Sequence, residues 1–453
     1  MWKTIFNIFS ILLIIGGLQA QVKMPFSPVL GFVTYREAKV GVEVCGLGEI
    51  FIGVRPDTCV TCKPQMYSGV EMLNTGGFRN ITFTLFELSP GVRYAYRVYA
   101  DKKPLTDTLL YFRTPALWEW RTQAPDFSFL VGSCVYVNDS LYDRPGKPYG
   151  KSQDILYTLA KEQGAFTLWM GDNVYLREGD FTSPASIASR YRHTLHNPAL
   201  QALLKARANY AIWDDHDFGP NDSDRSFESK AASLQVFKSF WPNPYFGTSE
   251  NSGIYSSFRY ADVEFFLLDN RYHRAPNRMQ KEDAKKDYWG GAQLQWLKDK
   301  LISSKATFKI IVNGNQLLNT YATEGSMETL SLYPKDQADL MTFLEVYRVS
   351  GVLFLSGDRH FTELLKLDRP GLYPLYDFTC SPLTSGVFEK VGETKEGNNP
   401  MRVPGSLVTQ ANYGRISISG TKGSRELKIE VLDSVGKILF EKAFPQGELS
   451  VQK

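Results

Sequence analysis

Histidine and cysteine are scarce: the 453-residue chain holds five of each. So few cysteines exclude a small scaffold stapled by disulfides. An excess of one charge is also missing, since 51 Lys and Arg stand against 48 Asp and Glu. A net charge of +3 gives no general basic surface, so nucleic acid is not expected as a partner. Any electropositive site has to be local, built from a few arginines or from metal ions. No Gly-x-Ser-x-Gly elbow, His-Glu-x-x-His helix or glycine-rich phosphate loop is present. Serine hydrolase, zinc protease and nucleotide-driven chemistries therefore lack their usual signatures. There is also no internal repeat, low-complexity tract or extended charge run. With 43% hydrophobic and 22% charged residues, the chain is composed like a globular protein of two or three domains.

One apolar run stands apart. Ile5 to Leu18 follows Lys3 and leads to Leu18-Gln19-Ala20 before Gln21. It is shorter than the roughly 20 residues that span a bilayer and ends on a small residue. Residues 1–20 are therefore expected to be a cleaved secretory signal peptide. The mature protein is expected to be exported, periplasmic or secreted, with no membrane span. No twin arginine precedes the run, and no cysteine follows the cut to carry a lipid.

Residues 25–115 read as β structure. Val40, Val42 and Val44 alternate with Lys39, Gly41 and Glu43, and Ile81, Phe83 and Leu85 repeat the period of two. Pro90-Gly91 turns the chain into Tyr94, Tyr96 and Val98, a hairpin signal. An immunoglobulin- or fibronectin-like β-sandwich is expected, with a linker from Thr114-Pro115 to Pro125. Beyond it, residues 125–445 mix short apolar runs with amphipathic stretches such as Leu294, Leu297 and Leu301. A larger mixed α/β domain fits that texture, closing on strands around Ile416, Ile429 and Ile438, so the fold class is α+β.

The chemistry lies where the apolar runs stop. They end in Gly132-Ser133-Cys134, Gly171-Asp172-Asn173-Val174-Tyr175, Asp214-Asp215-His216-Asp217, Asp269-Asn270-Arg271, Asn313-Gly314-Asn315-Gln316 and Ser356-Gly357-Asp358-Arg359-His360. One such end is an ordinary turn. Six in succession, carrying a thiol, carboxylates, imidazoles and a phenol, point to ligands gathered beyond the carboxyl ends of the strands. Carboxylates converging on one rim repel unless cations lie between them. Alone, Cys134 or Tyr175 would read as a core residue, and Arg271 as a salt-bridge partner of a nearby carboxylate. His193, His196 and His273 lack such company and read as surface or packing residues. Cys59-x-x-Cys62 reads as a local disulfide or two free thiols, and Cys45 and Cys380 stay unassigned.

The blocks Gly171 to Tyr175, Trp213 to Asp217 and Ser356 to His360 resemble the signatures of the alkaline phosphatase D family. That family belongs to the calcineurin-like and purple-acid-phosphatase group of metallophosphoesterases. The resemblance implies a four-layer α/β/β/α domain behind the β-sandwich. It implies iron held by Cys134, Asp172, Tyr175 and His360, and calcium held by Asp172, Asp215, Asp358 and Asn315. Thiolate, phenolate and imidazole suit Fe(III), and carboxylate and amide oxygens suit Ca2+. Zn2+ or Mn2+ are the alternatives, because a chain exported by the general route takes its metals outside the cell. By the same resemblance a metal-bound hydroxide attacks phosphorus, and His216 assists the leaving oxygen. Arg271, with Arg177 or Arg359, would hold phosphate oxygens. The expected activity is hydrolysis of phosphate monoesters, diesters or both. A phospholipase D-type phosphodiesterase acting on phospholipid headgroups is the alternative, and a non-catalytic binding protein on the same scaffold a third reading.

Overall fold

A computed structural model of the chain describes residues 21–321 and 328–451. The expected signal peptide, residues 1–20, lies outside the described residues. Among the described residues, no helix is long and apolar enough to cross a membrane.

The N-terminal part is a β-sandwich. One sheet runs β1 (Val29–Val33), β2 (Ala38–Cys45), β6 (Phe78–Leu85) and β5 (Val70–Thr75). The other runs β4 (Gln65–Ser68), β3 (Ile50–Pro56), β7 (Arg93–Ala100) and β8 (Lys103–Pro104), with β9 (Leu110–Arg113) also on β7. Alternation explains the sandwich core, where Val40, Val42, Val44 and Phe83 are buried with Ile52 and Val98. The other face of β2 departs from expectation, because Glu43 is buried too. That face is covered by the larger α/β part of the chain. Arg192 pairs with Glu43 at 3.0 Å and donates to Thr75. The Phe32 amide of β1 donates to the Pro242 carbonyl at 3.0 Å. A Cβ on Gly31 would lie 2.1 Å from that same oxygen, so glycine is what allows the strand to sit so close.

The larger C-terminal part stacks two six-stranded sheets between helices, the four-layer α/β/β/α arrangement. The first sheet is ordered β12 (Ala208–Ile212), β11 (Phe166–Met170), β10 (Phe127–Gly132), β19 (Asn412–Ser419), β20 (Glu426–Asp433) and β21 (Ile438–Pro445). The second is β13 (Ser256–Tyr260), β14 (Val263–Leu267), β15 (Phe308–Val312), β16 (Val352–Ser356), β18 (Leu375–Thr379) and β17 (Glu363–Leu367). Strands β10 to β12 are mutually parallel, as are β14, β15, β16 and β18. Their central members are apolar on both faces, as sheets covered on both sides require. Phe129 and Phe166 of the first sheet meet Phe265 of the second edge-on at 5.1 and 5.3 Å, and Tyr210 stacks on Phe258 at 3.9 Å. The connections carry α1 (Asp154–Lys161), α2 (Pro184–Leu195), α3 (Pro198–Ala206), α4 (Asp215–Phe218), α5 (Lys230–Phe240), α6 (Gly291–Ser303) and α7 (Pro334–Val346). Parallel strands joined this way place the loops after β10, β11, β12, β14, β15, β16 and β18 at one rim.

Candidate metal centre

The rim loops are bonded side by side. The Cys134 amide donates to the Gly171 carbonyl at 3.2 Å, and the Val135 amide to the Asp172 carbonyl at 2.7 Å. Asp217 accepts from the amides of Asn173, Val174 and Asp214 at 3.0 to 3.1 Å, clamping the loop after β11 to the loop after β12. Gly171 has φ +95°, and a Cβ there would meet the Asp214 Cβ at 2.8 Å. Cys134, Asp172, Asp358 and His360 themselves have φ between 52° and 70°. Non-glycine residues enter that left-handed region only when their surroundings hold them there.

These turns bring the expected donors together. Tyr175 Oη lies 3.2 Å from Asp172 Oδ2 and 3.1 Å from His360 Nε2, and Cys134 Sγ lies 3.5 Å from the same carboxylate oxygen. Donor atoms of Cys134, Asp172 and His360 all fall within 4.8 Å of one another. A second group, Asp172, Asp215 and His216, meets the same limit and shares Asp172. The His216 ring stacks on Tyr175 at 4.3 Å, while its amide donates to Asp215 Oδ1 at 3.0 Å. Asp358 belongs to none of these close groups, although its charge helps raise the Asp172 pKa.

Electrostatics tests whether the residues fit cations. Burial, then the charges of Asp215, Asp214, Asp217 and Asp358, hold the Asp172 pKa well above the usual carboxylate range. Burial followed by Asp214 and Asp215 does the same to Asp358. Burial and Asp172 raise the Cys134 thiol and the Tyr175 phenol. Burial, then His216, lowers His360 to about 4. Every one of these groups is pushed toward its neutral form, and Asp172 Oδ1 is buried without a hydrogen-bond partner. A cation among them would favour the ionised carboxylates, thiol and phenol and needs His360 neutral, the form that burial already favours, so this donor set fits metal ions.

Two expected site residues are placed differently. Arg271 is buried, with Nε 2.6 Å from Asp214 Oδ1 and Nη2 on Glu328. Its guanidinium is committed to protein carboxylates, so it does not offer the bidentate fork expected for phosphate. Asn315 points its oxygen at Arg274 Nη1, 2.6 Å away, and its nitrogen at Asp214 Oδ2, 3.0 Å away. Four donors of Arg271, Arg274, Asn270 and Tyr288 crowd that oxygen, so it is not free to join the Asp172, Asp215 and His216 group. Arg177 and Arg359 are turned aside as well, to Asp143 at 2.9 Å and to Glu396. His193, His196 and His273 lie elsewhere, near Asp139, Glu43 and the Ser252 carbonyl. Cys59 and Cys62 form a disulfide, and Cys45 and Cys380 are free.

Sequence reasoning missed several neighbours. Strand β18 ends in Cys380-Ser381-Pro382, a seventh instance of the same pattern, and Ser381 Oγ donates to Cys134 Sγ at 3.1 Å. Asp222 and Glu328 group with Asp215, and Tyr149 touches His360. The last three sit in loops with no periodic signal.

A family model, the PhoD-like phosphatase, matches residues 152–424. The chain belongs to the PhoD-like phosphatase family. Membership makes it a metal-dependent phosphoesterase, and Cys134 lies N-terminal to the matched span. Among solved structures, the one titled "Structure of PhoD" superposes with a TM-score of 0.73 at 16% identity, covering 93% of this chain and 89% of that one. A purple acid phosphatase from yellow lupin (Lupinus luteus) seeds superposes with a TM-score of 0.62 at 13% identity, covering 92% and 74%. At such identities these likenesses speak for the fold. No curated protein matches the sequence significantly.

Proposed function

We propose that the protein is an exported PhoD-like hydrolase of phosphate monoesters, phosphodiesters or both, with small phosphate esters or phospholipid headgroups as substrates. The observation that carries this reading is that the groups Cys134–Asp172–His360 and Asp172–Asp215–His216 share Asp172. Asp358 is added to the second ion, and His216 kept for the leaving oxygen, on the family resemblance. Cys134, Asp172, Tyr175 and His360 would hold Fe(III), and Asp172, Asp215 and Asp358 would hold Ca2+, with Zn2+ or Mn2+ as alternatives. Ions bound there supply charge neutralisation for the phosphoryl oxygens and acidify water. The chain's own residues do the rest. Asp172 keeps the two donor groups in register, and the Tyr175 ring backs the His216 imidazole at 4.3 Å. Burial lowers the His216 pKa, partly offset by Asp215, so the ring is neutral near pH 7 and presents an N–H. That N–H serves the departing oxygen of the ester.

Metal analysis with a panel of esters tests the reading. Iron near one per chain is expected, with a visible charge-transfer band that Cys134→Ser and Tyr175→Phe each shift or weaken. Zn2+ with the same ligands is colourless because its d shell is full. A colourless, active protein containing only zinc overturns the iron assignment alone. Failure to hydrolyse nitrophenyl monoesters, nitrophenyl diesters and phosphatidylcholine with these metals supplied overturns the hydrolase.

A further inference from the structure

We propose that Tyr149 is a positioning residue of the metal centre: its phenol oxygen accepts the Nδ1–H of His360 and thereby aims the Nε2 lone pair at the donors Cys134, Asp172 and Tyr175. The inference rests on the reading of His360 as a ligand. The two ring nitrogens of His360 have different company. Nε2 faces inward, 3.1 Å from Tyr175 Oη and 3.4 Å from Ser385 Oγ. Nδ1 faces outward, 3.0 Å from Tyr149 Oη. A neutral imidazole carries one proton, and the partner of one nitrogen sets the role of the other. Ligating histidines as a rule give their second N–H to an oxygen outside the ligand shell, and Tyr149 supplies the oxygen here. A phenol is a weaker acceptor than a carboxylate, so it fixes the ring's orientation without driving charge onto it.

The placement of Tyr149 is built rather than incidental. Tyr149 is 43% exposed, so a side chain with no task here would be free to turn outward. Instead it is held edge-on to Tyr136 at 4.8 Å and lies 6.2 Å from Tyr175. On the other side, a Cβ on Gly386 would lie 2.8 Å from Tyr149 Cε2, so a side chain there would push the ring aside. The backbone is stitched around it. Gly150 and Asn138 exchange hydrogen bonds of 2.9 and 3.0 Å, and the Lys151 amide donates to the Thr384 carbonyl at 2.7 Å. The loop after β10 and the loop after β18 thus close on one another across His360.

Tyr149→Phe keeps the ring and removes only the oxygen. Metal-stripped wild type and variant are titrated with Zn2+ against a chromophoric chelator. The variant is expected to bind Zn2+ roughly 10–100-fold more weakly, with the melting temperature of the metal-free protein unchanged. Equal affinity in the two proteins overturns the role of Tyr149 and leaves the metal centre standing. Absence of binding of Zn2+, Mn2+ and iron alike by wild type overturns the metal centre itself. Gly386→Ala displaces the ring while leaving the hydroxyl in the chain, and should weaken Zn2+ in the same sense. If Tyr149→Phe does not fold, wild-type affinity in Gly386→Ala overturns the proposal.

Discussion

His216 stands against Tyr175 and beside Asp215, so its replacement separates two roles. As a hydrogen-bond donor to the leaving oxygen, His216→Ala should lower kcat roughly 10²–10⁴-fold while metal content stays near wild type. The loss should be larger for an alkyl leaving group than for a nitrophenol, which departs without help. An equal loss across leaving groups would reduce the residue to phosphate binding, and loss of metal would make it a ligand. The gathering of these donors was legible because Cys134, Asp172, Tyr175, Asp215, His216 and His360 all follow apolar strand runs. Arg271 took its alternative reading, a salt bridge to the rim carboxylate Asp214, but its second partner Glu328 lies 57 residues away with no pattern joining them. Asn315 was misread for a similar reason. Its amide is claimed by arginines 41 and 44 residues upstream, and such pairings exist only once the sheet has formed.

At the scale of elements, the two sheets place their end loops by burying whole strands, including one lysine. Lys309 on β15 is largely buried, donating to the carbonyls of Ala306 and Ser350 at 3.0 and 3.1 Å. Burial lowers its pKa to about 8, against an ordinary value of 10.5. Between those values the unfolded chain binds the extra proton, so this group makes stability rise with pH from about 8 to 10.5. Lys309→Met should flatten that rise relative to wild type, read from urea unfolding at pH 7.5, 9 and 10.5. Parallel curves would show that the lysine is charged in the fold. Strand β1 carries another test. Gly31→Val would drive a side chain into the Pro242 carbonyl and should cost about 1–3 kcal/mol by overpacking. Gly291→Ala, where nothing lies within 4 Å of the added carbon, should stay within about 0.5 kcal/mol. The period-two pattern of β2 predicted one buried face correctly. It was silent about the second, because Glu43 is buried by a helix from a different part of the chain.

The molecule as a whole should behave as one unit, since the sandwich and the catalytic domain share the buried Glu43–Arg192 pair. Calorimetry is expected to record a single unfolding transition for the intact protein. Arg192→Ala, which strands Glu43 without its cation, should cost about 3–5 kcal/mol and split the transition in two. Two transitions already present in wild type would mean that the domains are merely adjacent. The α+β class and the order of domains were legible from the change in texture after Pro125, but the contact between them was not, because it joins residues far apart in sequence. The pairing of β10 with β19 has its own consequence in time. As the chain is synthesised, every proposed donor has been made once His360 is in place, and Ser381 and Ser385 follow soon after. The strand at 412–419 that closes the first sheet beside β10 has not yet appeared. Until it does, β10 presents an open edge, ready to pair with any other extended chain. The closing residues of the sheet, which touch no proposed ligand themselves, thus decide how long a nascent chain that already holds the whole donor set stays prone to aggregation.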